Sequence, residues 1–139
     1  MKKIITPLLF ILIILLTGCA SAAATPVYVP EGTERDAIIA DTDVIIKDVL
    51  TGIENQDTEI FSKDFSDDML TAMTESDQEK LFSQLEVLGN SESVELVNVQ
   101  DITDNYAVRY KVAYADKVLI YRIVVSKADT SQVTGLWLE

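Results

Sequence analysis

Residues 106–114, YAVRYKVAY, alternate without a break: Tyr106, Val108, Tyr110, Val112 and Tyr114 on one side, Ala107, Arg109, Lys111 and Ala113 on the other. A period of two is the side-chain repeat of a β-strand with one buried face, and no helix keeps those five large residues together. The segment after it repeats the pattern with Leu119, Tyr121, Ile123 and Val125. If Asp116-Lys117 forms the turn, Tyr114 faces Leu119, Val112 faces Tyr121, Tyr110 faces Ile123 and Val108 faces Val125. All four pairs then place apolar or aromatic side chains on one face, as cross-strand packing requires. The same register sets Lys111 opposite Arg122. Val94 to Ile102, turning at Asp104-Asn105, and Val133 to Leu138 read as further strands. The C-terminal half is thus a four-stranded antiparallel sheet.

The preceding half has another period. Ile38, Ile39, Ile45, Ile46, Val49, Leu50 and Ile53 recur at spacings of three, four and seven, which predicts an amphipathic helix starting near Thr33 or Glu34. Asn55-Gln56-Asp57 ends it, and Asp57 caps a short helix carrying Ile60, Phe61 and Phe65. Met69, Leu70 and Met73 form another short stripe. Ser76 with Glu79 forms a capping box before Leu81, Phe82, Leu85 and Leu88, and Gly89 closes that helix. Helices first and strands after make an α+β domain over residues 33–139.

Residues 1–19, MKKIITPLLFILIILLTGC, place two lysines before an apolar run from Ile4 to Leu16. That is the charged and apolar order of an export signal, and the run is too short for a membrane-spanning helix. Residues 20–32, ASAAATPVYVPEG, have no periodic apolar face and contain Pro26, Pro30 and Gly32, so they read as a flexible tether. Without the leader's two lysines the chain carries nine basic residues against 23 acidic, a net charge of 9 − 23 = −14. So acidic a surface repels nucleic acid and anionic headgroups.

Leu16-Thr17-Gly18-Cys19 resembles the bacterial lipobox. The resemblance implies cleavage after Gly18, a lipid on Cys19 and anchoring to the outer side of a membrane. Phe61 to Met69, FSKDFSDDM, the helix ending in Leu88-Gly89 and the closing VTGLW resemble domain-of-unknown-function family 3887, within the nuclear transport factor 2-like (cystatin-like) superfamily. That resemblance spans roughly residues 36–138. It implies helices packed on the concave face of a curved four-stranded antiparallel sheet, a cystatin-like cone that often holds a ligand pocket. Members range from isomerases to binding modules, so the fold alone does not assign an activity.

The chain has no histidine and one cysteine. Ser-His-Asp and Cys-His nucleophiles are therefore excluded, zinc loses its preferred ligands, and no glycine-rich phosphate loop is present. No metal site and no cofactor are expected. Asp64, Asp67 and Asp68 read as solvated helix ends, and Asp41 and Asp43 as the wet face of the long helix. Asp101, on the same sheet face as Val97, Val99, Tyr106 and Tyr110, is the weak catalytic candidate, because ketosteroid-isomerase-like relatives use a buried carboxylate for proton transfer. Phe61, Phe65, Phe82, Tyr110, Tyr121 and Trp137 are the candidates for lining a cone pocket. Arg109, Lys111 and Arg122 form a basic patch on the other face, suited to an acidic partner.

The expectation is a lipid-anchored extracytoplasmic module that binds a small apolar ligand or an envelope protein without catalysis. The alternatives are a pocket isomerase using Asp101 and a homodimer built on the outer sheet face.

Overall fold

A computed structural model describes residues 24–139. The alternating segments form the expected hairpin of β3 (Asn105–Ala113) and β4 (Val118–Ser126). Its register differs from the expected one by two residues. Tyr114 N–H donates to Lys117 O at 2.7 Å, so the turn is Ala115-Asp116 and not Asp116-Lys117. Moving a turn by one residue shifts every pair by two and leaves both faces intact. Tyr110 therefore faces Tyr121, Val108 faces Ile123, Val112 faces Leu119, and Arg122 faces Arg109 while Lys111 faces Ile120.

β2 (Ser93–Ile102) joins β3 through Thr103-Asp104, one residue before the expected turn, and β5 (Val133–Leu138) pairs with β4. The sheet has five strands rather than four. The fifth, β1 (Val27–Tyr28), comes from the segment read as a tether and pairs with Asp101 and Gln100 of β2. The order is β1-β2-β3-β4-β5, each pair antiparallel. A bulge between Leu96 and Asn98 leaves Val97 47% exposed. Leu96, opposite Tyr110, therefore takes the inner-face place expected for Val97.

The long helix is α1 (Thr33–Asn55), ended by Gln56 in the left-handed conformation. Its buried stripe includes Thr42 beside Ile38, Ile45, Ile46, Val49, Leu50 and Ile53. α2 (Thr58–Phe61) has the expected cap, Ile60 N–H to Asp57 at 3.0 Å. α3 (Asp67–Ala72) is capped by Ser66. α4 (Glu75–Leu85) begins two residues before the expected box: Asp77 accepts from Thr74 N–H and Thr74 Oγ–H, at 3.2 and 2.6 Å. Ser76 and Glu79 lie inside that helix. Gly52 lets α2 approach closely, since a Cβ there would sit 2.5 Å from Phe61 N.

These helices cover the inner face of the sheet. Phe61 packs edge-on against Phe65 and Phe82, with ring centroids 5.2 and 5.1 Å apart. The Phe65 segment is stitched to β5 by Ser66 N–H to Val133 O and Val133 N–H to Asp64 O, at 2.8 and 2.7 Å. No helix among the described residues is long and apolar enough to cross a membrane.

Candidate functional site

Beside its core stripe, α1 carries a second ridge at helical spacing: Ile39, Asp43, Lys47, Leu50, Thr51 and Glu54. β2 presents Val94 and Leu96 on the inner face, opposite Val112 and Tyr110. Between ridge and strand lies a cleft of about 510 Å³, within the range of sites for small guests. Ile39, Ile46, Leu50, Val94 and Leu96 give it an apolar floor, and Asp43, Lys47, Thr51, Glu54, Ser91 and the Tyr110 hydroxyl add polar groups.

Two hydrogen-bond sets fix the cleft. At one point Glu54 accepts from Ser91 N–H and Oγ–H at 2.8 and 2.7 Å, tying the loop before β2 to α1. At the other, Tyr110 donates to Asp43 at 2.7 Å, with the Thr42 hydroxyl 2.8 Å from the phenol oxygen. A carboxylate only accepts, so the phenol proton goes to Asp43, while the single Thr42 hydroxyl proton is shared between the phenol oxygen and Ile38 O, 2.8 Å away. Burial pushes the Tyr110 hydroxyl well above the usual phenol range, the Thr42 bond opposes that, and Asp43 reinforces it. This phenol therefore acts as a fixed, neutral donor in the wall of the cleft.

Five of the six aromatics expected around a pocket are buried: Phe61, Phe65, Phe82, Tyr110 and Tyr121. Of these only Tyr110 reaches the cleft. Tyr121 is fully buried and shares a 2.7 Å hydrogen bond with Tyr114. Trp137 lies on the other face and is 48% exposed, because the β4–β5 register places it opposite Arg122. Its ring covers Gly135, where a Cβ would sit 2.3 Å from the ring, and the Arg122 guanidinium stacks 4.9 Å from its centroid.

Asp101 shares the inner side with Val99 and Tyr106, as alternation requires, but its side chain is 39% exposed and pairs with Lys127 at 2.6 Å. Tyr106 donates to Glu34 instead. The dry carboxylate that an isomerase needs is therefore not provided by Asp101. The basic patch is also largely neutralised within the chain. Lys111 pairs with Glu95 at 3.0 Å, and Arg109 with Glu139 at 3.5 Å while donating to Gln100 at 2.8 Å.

Asp41 and Asp43 are not simply solvated, since Asp41 accepts from Thr130 and Asp43 from Tyr110. Sequence reasoning passed over Thr42, Ser91, Val94, Leu96 and Glu54 as site residues. A hydroxyl sitting in the apolar stripe between Ile38 and Ile45 was the available signal for the first, because a buried hydroxyl needs a partner. Leu96 was hidden by the bulge. Cys19 and Gly18 lie outside the described residues. Comparison with family models, curated proteins and solved structures found no match.

Proposed function

We propose that this chain is a lipid-anchored, extracytoplasmic binding module that holds a small apolar ligand, or an apolar stretch of an envelope protein, in the α1/β2 cleft without transforming it. The observation that carries the reading is the cleft itself: apolar side chains form its floor and hydrogen-bonding groups stand at fixed places around them. The chain brings little reactive chemistry to that place. It has no histidine, its one thiol is assigned to the lipid, and Tyr110 is held neutral.

The anchor rests on the lipobox resemblance, and the family resemblance agrees with the observed order of helices followed by an antiparallel sheet. With β1 in the sheet, the linker from Cys19 shortens to residues 20–26, a reach of roughly 25 Å. The domain then stands close to the bilayer.

A second reading has one specific observation in its favour. Arg122 stacks on the half-exposed Trp137, and its buried Nε has no hydrogen-bond partner among the described residues. A partner carboxylate that displaces the Trp137 ring would pair with that group. Native mass spectrometry of the full chain released from nonionic detergent tests the first reading. A retained apolar molecule is expected, and a chain carrying nothing, with no gain on adding extracted envelope lipids, counts against it. Fatty-acid labelling tests the anchor: label is expected on the natural chain, and label surviving Cys19→Ala contradicts the assignment.

A further inference from the structure

We infer that the guest of the cleft is an extended, basic peptide segment of a partner protein, which adds to the sheet as a strand along the edge of β2 at Ser93–Val97. The inference rests on the binding reading above and names the class of its guest.

β1 covers only the C-terminal half of that edge. Val27 and Tyr28 pair with Asp101 and Gln100, and Val29 N–H donates to Val99 O at 2.9 Å. Pro30 has no N–H to continue the ladder, and the chain leaves through Gly32 (φ 145°) into α1. The N-terminal half of β2 is left bare. Tyr114 N–H donates to Lys117 O, beside β4, so Ala113 and Lys111 turn their main-chain groups toward β2, where they face Ser93 and Glu95. By strand alternation the N–H and C=O of Val94 and Leu96 point away from β3. Among the described residues, β3 is the one strand paired with this half of β2. A row of unpaired main-chain groups beside an apolar cleft is the arrangement that captures an extended peptide, with backbone bonds giving affinity and alternate side chains giving specificity.

The register defines the guest. Peptide residues opposite Val94 and Leu96 share the inner face and enter the cleft, so they are apolar. The residue opposite Glu95 lies on the outer face beside a carboxylate that is 62% exposed and already shared with Lys111. Along the cleft Asp43 and Glu54 outnumber Lys47, leaving it one negative charge in excess. A basic residue suits the position opposite Glu95. A second copy of this chain suits it poorly, since antiparallel pairing of two such short edges brings Glu92 and Glu95 of both copies together between chains of net charge −12.

The test uses the full chain in nonionic detergent and a capped, fluorescent heptapeptide alternating lysine and valine. Its control has the same sequence with the edge-facing amides N-methylated, which preserves charge and side chains but removes the strand donors. Fluorescence anisotropy should show binding of the first peptide at least about ten-fold tighter than the second. Amide exchange at Val94 and Leu96 should slow only with the first. Equal binding of both peptides, protection falling on β5, or a β2-edge dimer that the peptide does not dissociate each overturns the inference. The cleft reading is judged apart from this. If native mass spectrometry finds an apolar guest that Leu96→Glu removes, while the two peptides bind alike, strand addition fails and the cleft stands. If neither guest nor peptide discrimination appears, both fail.

Discussion

The two ends of the inner sheet face are finished differently. Toward β5, the phenylalanines of the short helical region interlock edge to face, and the chain before α3 is bonded directly to Val133. Toward β2, Val94 is 42% exposed, and the cleft takes the place of a covering helix. Both ends have apolar side chains aimed the same way. What separates them is covering: α3 and the Asp64–Ser66 segment before it reach the β5 side, whereas β1 stops at Pro30 and leaves half of β2 bare. The sealed end is packed throughout, and room for a guest remains at the open one.

That contrast breaks if the two ends respond alike to truncation. Phe61→Ala, at the centre of the aromatic cluster, should cost about 3–5 kcal/mol in urea unfolding, because Phe65 and Phe82 cannot both close the void. A loss near 1 kcal/mol would mean that the sealed end is loosely packed. Tyr121→Phe should cost about 1–3 kcal/mol by leaving the Tyr114 hydroxyl buried without its partner, while the Tyr114→Phe/Tyr121→Phe double variant should cost less than the two singles together. Additive losses would show that the two hydroxyls do not support each other.

Alkaline pH probes the sheet from another side. The hydrogen bond to Glu34, followed by burial and the charges of Glu34 and Asp101, pushes the Tyr106 phenol up to about 12. The fold therefore favours the neutral phenol. Its contribution to stability is fully present below about pH 10, where the unfolded chain begins to ionise, and is lost as pH rises through about 12. Burial moves Tyr110, Tyr114 and Tyr121 in the same direction, so unfolding should steepen above pH 10. Tyr106→Phe should flatten that slope in pH-dependent denaturation, and an unchanged slope would contradict the Glu34 contact. The smallest stability effect is expected at the open end: Leu96→Ala should cost about 1 kcal/mol, since its side chain is only partly buried.

Much of this was legible in the residues. The period of two in Tyr106–Tyr114 defines a face whatever the register, so the inner face was readable even with the turn misplaced by one residue. The stripe of α1 and the Asp57 cap were equally local signals. What escaped depended on partners distant in sequence. Val27–Tyr28 is too short to announce a strand and becomes one only because Gln100 and Asp101 offer an edge. The bulge at Val97 exchanges the roles of Val97 and Leu96, and alternation alone contains no sign of it. The aromatics were candidates for pocket lining, although residues at such spacings are more often plain core, and their packing partners make most of them core. Asp43 was read as solvated because its acceptor role depends on Tyr110, 67 positions later.

The central claim is that the open β2 side, and not the outer face, holds the guest. Native mass spectrometry of the full chain as Leu96→Glu and as Trp137→Ala tests it most directly. The account predicts that the bound molecule is lost from Leu96→Glu and kept by Trp137→Ala. A guest that survives Leu96→Glu and disappears with Trp137→Ala would contradict it and move the binding site to the Arg122 face.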